Sequence, residues 1–476
     1  VSLKFGTSGL RGLSSDLEGA PSFIYAAAFS KFLLDQGLAA SGDRVLVGYD
    51  FRASSPAIAE NVKRAISLAG LVPVDCGTLP TPALAHYGLK LGAGSMMITG
   101  SHIPADRNGI KFYLPSGEIG KNDEKAITSL SEKIQAPEVG SGNVPFEDHA
   151  AQAAALFMER NRGLLAANTL QGLRVGVYQH STVARDMLAE ILAHYGAEAV
   201  LLGRSETFIP VDTEAVSIDT KTALKQWSEQ HGLDAIVSAD GDGDRPLIAD
   251  ETGLPVNGDV CGFLAAQFLG ATHVVTPVTS NSGIEKVFAG EVARTRVGSP
   301  FVISGMQTAA GSDGALVVGF EANGGTLTAS EFQVAGGQFS ALPTRDCFLP
   351  ILVVLASSVA SGLSLSALKD SLRMNATSAD RLKDYPQENS AALMGWLTHS
   401  SANLASFIQP IGVPTSVNDL DGLRVAFEDG AVIHFRPSGN APEMRCYVEA
   451  ENPEKCKLLL ESGLDLLSTF DRDAVA

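Results

Sequence analysis

In the hexapeptide DGDGDR, residues 240–245, the carboxylates Asp240, Asp242 and Asp244 fall at alternate positions, and the glycines between them let the backbone curl and aim all three at one point. Hard oxygen donors that converge in this way hold a divalent cation; magnesium suits a small carboxylate set that leaves positions open for a phosphate oxygen. A calcium EF-hand is excluded. Asp240, Asp242, Asp244 and Glu251 do fall on its first, third, fifth and twelfth places, but Arg245 replaces the obligatory glycine, and the flanks AIVSA and PLIAD are strands where helices are required. A second candidate is Ser101, which follows Gly100 and the apolar run SMMIT and is followed by His102, a turn at Asn108-Gly109, and Lys111. A hydroxyl on such a turn can act as a nucleophile or carry a phosphoryl group. A G-x-S-x-G elbow is absent, and adjacent side chains such as Ser101 and His102 seldom face each other, so a Ser-His-Asp triad is not expected. Beside an aspartate-bound metal, phosphoryl transfer is the better reading.

Other loops supply groups for holding a substrate. In EANGG, Glu321 and Asn323 offer an acceptor and an amide suited to sugar hydroxyls, although an Asx-type turn would use the same residues. In RPSGNAPEMR, Arg436 brings a forked cation, Ser438 and Asn440 bring side-chain donors, and Gly439 permits a curl of backbone N–H groups toward an anion. Near the start, KFGTSGLRG adds Arg11 as a phosphate contact; it opens no helix after a clear strand and lacks the acidic partner of a dinucleotide fingerprint.

The elements that must position these loops repeat. From Val45 the pattern reads strand, helix (55–69), strand, helix (82–91), strand SMMIT, then the serine loop. From Arg174 it recurs and ends at AIVSA and the aspartate loop; from His273 it runs again, with helices expected at 283–289 and near 301–308 and a strand at 294–297, and ends at ALVVGF and EANGG. Continuous Val/Ile/Leu strands alternating with helices predict α/β units with mainly parallel sheets covered on both faces, whose ligands bind beyond the carboxyl ends of the strands. Beyond Asp370 the pattern changes to a hairpin at Asp429-Gly430, a strand MRCYVEA and a helix 453–468, an α+β module. The expected division is 1–148 with the serine loop, 149–256 with the metal loop, 257–370 with the sugar loop and 371–476 with the anion loop. Residues 149–167 form a bridging helix in this reading.

Composition narrows the partners. With 476 residues, roughly three domains of about 150 residues are affordable. There are 35 Lys+Arg against 53 Asp+Glu, a net charge of −18, which argues against nucleic acid and anionic membrane as partners. Five scattered Cys without a C-x-x-C signal neither a disulfide framework nor a zinc site. That cysteine pattern fits a reducing cytoplasm, the expected location; the longest apolar run, 349–363, falls short of the roughly 20 residues of a membrane span, and no basic, apolar-cored leader is read.

Five loops in order, FGTSGLRG, TGSHIPADRNGIKF, DGDGDR, FEANGG and RPSGNAPEMR, make the whole chain resemble the α-D-phosphohexomutase superfamily. The resemblance implies three similar βαβαβ-type domains with mixed, mainly parallel sheets, plus a C-terminal α+β domain, around a central cleft. It implies an isomerase that interconverts hexose 1- and 6-phosphates through phosphoserine at Ser101, with Mg2+ held by Ser101, Asp240, Asp242 and Asp244, and a hexose 1,6-bisphosphate as activator. Arg11, Lys111 and Arg245 are similar to the family's catalytic cations, with Lys111 or His102 as proton shuttle. Glu321 and Asn323 are similar to its sugar-reading pair, and Arg436, Ser438, Gly439 and Asn440 to its phosphate cradle. The Ser-His pair and the sugar loop are most similar to the branch acting on mannose phosphates, with glucose as a second substrate; glucosamine-phosphate and glucose-phosphate branches are the alternatives, and a magnesium-dependent sugar phosphatase is the rival class. A phosphosugar partner and a monomer or homodimer are expected. Two departures stand out: Ile103 where many relatives carry Asn, and Gly325 where they carry His.

Overall fold

The computed structural model describes residues 3–6, 9–136, 144–438 and 442–470. The three sequence blocks fold into the same core. In each, the first strand lies between the second and third, all parallel, and a fourth strand returns antiparallel beside the third. In the first unit Arg44–Tyr49 pairs with Val72–Thr78 on one side and Gly94–Ile98 on the other, and Arg107–Leu114 closes the set. In the second, Arg174–His180 lies between Glu198–Arg204 and Ala235–Ala239, with Pro246–Ala249 antiparallel. In the third, His273–Pro277 lies between Glu291–Thr295 and Val317–Phe320, followed by Thr326–Thr328 and Leu342–Asp346. The serine, aspartate and EANGG loops therefore each connect the third strand to the antiparallel fourth, at the carboxyl ends of the parallel strands, where such sheets bind ligands.

In the third unit the expected helix 283–289 is a single turn, Ile284–Val287, and its strand is Glu291–Thr295 rather than 294–297. The alternation of Val292 with polar neighbours marks an edge strand half exposed to water, whose weak apolar signal leaves its ends undefined by the sequence. The apolar stretch read from 349 to 363 is helix Phe348–Ser361, buried over most of its length and bent by 85° from Leu365–Ser371. Among the described residues no single helix is long and apolar enough to cross a membrane.

This helix belongs to one apolar core that runs through the first three units, with the bridging helix Ala150–Arg162 beside it. Phe157 of the bridge meets Phe348 edge-on at 5.0 Å, and Arg160 pairs with Asp346 at 3.0 Å, both side chains buried. A shared core resists relative motion of the loops it carries. The C-terminal unit has its own core, under a five-stranded antiparallel sheet with Met444–Ala450 between Ala376–Leu382 and Val432–Pro437. The hairpin turn has Gly430 at φ 80°, the left-handed conformation that a tight turn takes and glycine tolerates. Polar ties hold this unit to the third: Asn257 Nδ2 donates to Thr377 Oγ1, Asn281 Nδ2 to the Asn375 carbonyl, and Ser282 Oγ to Glu449 Oε2.

Candidate active site

Ser101 has φ 55°, in the left-handed region that disfavours a side chain, and it is 1% exposed. Something must hold it there, and that is Arg52, a residue the sequence reading passed over. Its guanidinium is buried and donates to the carbonyls of Ser101, Ile103, Pro104 and Arg107 at 2.7–3.0 Å, while Nε pairs with Asp50 at 3.2 Å. Asp50 in turn accepts from Thr99 Oγ1, and Thr99 Oγ1 accepts from the Ser101 N–H, both at 2.8 Å. At Ile103 the loop is thus gripped through the backbone. The signal for Arg52 was present in D-F-R directly after the first strand, a charged pair at a carboxyl end.

Across 139 residues of sequence, Ser101 Oγ donates to Asp240 Oδ2 at 2.6 Å. Asp240, Asp242 and Asp244 are fully buried, and one oxygen from each lies within 4.8 Å of the others. The loop curls through Gly243 at φ 68°, and Asp240 Oδ1 accepts from the backbone N–H groups of Asp244 and Arg245. Thr81, at the start of helix Thr81–Leu91, donates through both its hydroxyl and its N–H to Asp242, locking the metal loop onto the first unit. Asp242 Oδ1 and Asp244 Oδ1 are buried with no hydrogen bond, Asp244 Oδ1 having Arg245 Nε at 3.7 Å, a costly arrangement that a cation between them would relieve. Burial, then Asp242 and Asp244, push the Asp240 carboxyl up to about 8. Asp244 is driven the other way: burial would raise it, but Arg345, Lys111 and Arg245 hold it below the usual range. The donor set, all oxygen and repelling within itself, fits a hard divalent cation.

Lys111 Nζ reaches Asp242 Oδ2 at 2.6 Å and also pairs with Asp244 Oδ2. Burial opposes its charge, yet these two carboxylates keep it raised, so it is a firmly held ammonium. His102 Nδ1 lies 3.2 Å from Ser101 Oγ and accepts from Arg245 Nη1 at 2.8 Å. Burial and then Arg245 lower it to about 3, which leaves a neutral imidazole. Arg11, opposite Gly109 in the sheet, is lowered to about 10 by burial and by Arg245 and Arg345, and it makes no ion pair among the described residues. A cation crowded by cations favours an anionic ligand.

The EANGG loop contributes Glu321, whose carboxylate accepts from Arg345 Nη1 at 3.1 Å, and Asn323, whose Oδ1 accepts from the Gly325 N–H in an Asx-type turn. Arg345, also unforeseen, donates to Asp244 as well. Its signal was an Arg-Asp pair ending a strand before a mostly apolar helix. Ser101, His102, Lys111, the three aspartates, Arg245, Glu321 and Asn323 thus share one continuous network of loops. Arg436 does not join it directly: it lies on Val432–Pro437 and pairs with Asp421 at 3.0 Å, while the Ser438 N–H donates to the Glu443 carbonyl. Gly439 and Asn440 lie outside the described residues.

Comparison with known proteins agrees with this arrangement. Profiles of phosphoglucomutase/phosphomannomutase match as alpha/beta/alpha domain I at residues 2–138, domain II at 155–253 and domain III at 257–374, and as the C-terminal domain at 397–462. A phosphomannomutase of Sinorhizobium fredii is 52% identical over 472 residues, covering 98% of this chain and 99% of that protein. A phosphomannomutase of Salmonella muenchen is 38% identical over 467 residues, covering 97% and 95%. A crystal structure of a phosphoglucomutase/phosphomannomutase family protein from Burkholderia thailandensis shares the fold with a TM-score of 0.74 at 20% identity, covering 97% and 96% of the two chains. The chain belongs to the phosphoglucomutase/phosphomannomutase family, within the α-D-phosphohexomutase superfamily.

Proposed function

We propose that this phosphohexomutase interconverts mannose 1-phosphate and mannose 6-phosphate, accepts glucose phosphates as a second pair, and works through phosphoserine at Ser101 and a hexose 1,6-bisphosphate. The observation that carries the reading is the 2.6 Å contact of Ser101 Oγ with Asp240, which sets the hydroxyl proposed to carry the phosphoryl group against the acidic trio. The preference for mannose rests on the relatives' names and on the form of the serine and sugar loops.

In the reaction, the bond between phosphorus and Ser101 Oγ breaks as one forms to the free hydroxyl of a hexose monophosphate. The bisphosphate turns over, and its other phosphoryl group returns to Ser101. Magnesium, held by Asp240, Asp242, Asp244 and the Ser101 phosphate, would neutralise the charge of the group being transferred, which with positioning is most of what phosphoryl transfer requires. Lys111 shares Asp242 and Asp244 with the metal, so in the loaded site these carboxylates would hold its proton less firmly, and it is the proton shuttle of this reading. Neutral His102, with Nδ1 at 3.2 Å from Ser101 Oγ and accepting from Arg245 Nη1, orients the serine oxygen. Arg11 and Arg245 face the transferring phosphoryl group, Glu321 and Asn323 the sugar hydroxyls, and Arg436, Ser438, Gly439 and Asn440 the resting phosphate. The division into 1–148, 149–256, 257–370 and 371–476 belongs to the same reading, as does a cytoplasmic enzyme, supported by five cysteines that are all buried and free. A monomer or homodimer would serve this chemistry equally.

The test is coupled turnover of mannose, glucose and glucosamine 1-phosphates by one preparation. Hexose 6-phosphate from mannose at the highest kcat/KM is expected. Free phosphate as the main product would instead establish a sugar phosphatase, and a preference for glucosamine would transfer the chain to that branch.

A further inference from the structure

The strand Leu342–Asp346 ends in two charged residues whose side chains go to opposite faces, as strand geometry requires. Asp346 points into the shared core, where it meets Arg160 Nη1 at 3.0 Å and accepts from the Phe348 N–H at 2.8 Å. Arg160 also donates to the Ser340 carbonyl and lies over the Phe339 ring at 3.8 Å. The strand end is therefore fixed from behind. Arg345 points the other way, 3% exposed, and spreads its fork: Nε and Nη2 reach Asp244 Oδ2 at 3.1 and 2.9 Å, and Nη1 reaches Glu321 Oε2 at 3.1 Å.

To get there its stem crosses the sugar loop at Gly325. A Cβ on Gly325 would lie 2.6 Å from Arg345 Cδ, 2.7 Å from Cγ and 3.1 Å from Cβ, too close for any side chain while the stem stays. Lys111 and Arg345 both engage Asp244 Oδ2, so Oδ1 is the oxygen left without a hydrogen bond.

We propose that Arg345 is a positioning residue that ties the metal loop to the sugar loop, and that residue 325 is glycine because the Arg345 stem occupies the space above it. Arg345 acts on substrate through Glu321: it fixes the carboxylate that reads the sugar while turning Asp244. A planar fork can hold two carboxylates in set directions where an ammonium cannot. This rests on the active-site reading above, so the experiment carries controls that separate the two.

Hexose 1-phosphate binding is measured by calorimetry on metal-free protein, alongside kcat and KM of the magnesium-loaded enzyme, for Arg345→Ala, Gly325→Ala, Glu321→Ala and the double variant Arg345→Ala/Glu321→Ala. Both Arg345→Ala and Gly325→Ala are expected to weaken binding at least about tenfold, with KM rising in parallel, and the double variant to bind within about twofold of Glu321→Ala alone, the non-additivity of residues acting as one unit. Binding by folded Arg345→Ala within about twofold of the parent, or effects of Arg345→Ala and Glu321→Ala that multiply, would overturn the proposal. Should Arg345→Ala fail to fold in a thermal melt, Arg345→Lys, which keeps stem and charge without the fork, is held to the same two outcomes. Ser101→Ala and Asp240→Asn serve as controls: loss of turnover in both, with independent Arg345 and Glu321 effects, overturns this inference alone, whereas full turnover in both overturns the site itself.

Discussion

At the level of single residues, the site spends conformational energy to present one hydroxyl. Ser101 sits at positive φ without being glycine, an arrangement that costs about 1–2 kcal/mol and persists because Arg52 fixes the surrounding carbonyls. Both Ser101→Ala and Ser101→Gly remove the nucleophile, but only glycine relieves the backbone. The glycine variant is expected to be more stable than the alanine variant by about 1 kcal/mol in denaturant titrations, with mutase turnover lost in both. Arg52 gives a larger effect. Arg52→Met strands Asp50 in the interior without its cation and leaves the loop carbonyls unpartnered, a loss of about 3–5 kcal/mol by the same titration. These residues show what the sequence could reveal. Ser101 and the three aspartates were legible because their chemistry needs a particular spacing within one loop. Arg52 and Arg345 were not, because the groups they hold lie 24 to 101 residues away in other loops, and the charged pairs Asp50/Arg52 and Arg345-Asp346 at strand ends do not say which segment they grip.

At the level of elements, the serine and metal loops come from different units yet touch through glycines. A Cβ on Gly241 would stand 2.8 Å from the Ser101 carbonyl and 2.9 Å from the Phe208 ring, itself stacked 3.9 Å under the Arg52 guanidinium. Gly241→Ala should therefore push the two loops apart. It is expected to lower kcat by about tenfold to a hundredfold, the scale set by a misplacement of about 1 Å, with a smaller change in substrate KM; steady-state kinetics decide it. The repeated βαβαβ order was readable because buried parallel strands print as unbroken apolar runs. The edge strand Glu291–Thr295 was misplaced by three residues because its pattern is diluted by exposure, and the docking of Thr81 onto Asp242 is a tertiary contact with no trace in local periodicity.

At the level of the whole molecule, stability should respond to acid through buried histidines. His180 and His434 are almost fully enclosed, with Nε2 on the carbonyls of Ala239 and Asp421 and Nδ1 without a hydrogen bond. Burial lowers each to about 4. The unfolded chain binds protons on these rings below about pH 6.5 while the folded one does not until about pH 4, so stability falls as pH drops through that window. The loss is on the order of 3 kcal/mol per ring by pH 4, and His180→Gln should flatten the slope of unfolding free energy against pH by roughly one proton. The four-part architecture was foreseen from the change of pattern after the third block, but the apolar cluster that joins the first three units was not, since periodicity reports which residues are buried and not against what.

The account stands on Ser101 as the carrier of a transferable phosphoryl group beside the acidic trio, and peptide mapping by mass spectrometry addresses that directly. Enzyme treated with a hexose 1,6-bisphosphate is digested before and after a chase with mannose 1-phosphate. The account predicts one phosphoryl group on the peptide bearing Ser101, its disappearance in the chase, and neither event in Ser101→Ala. A phosphoryl group on another residue, or steady turnover by Ser101→Ala, would contradict it.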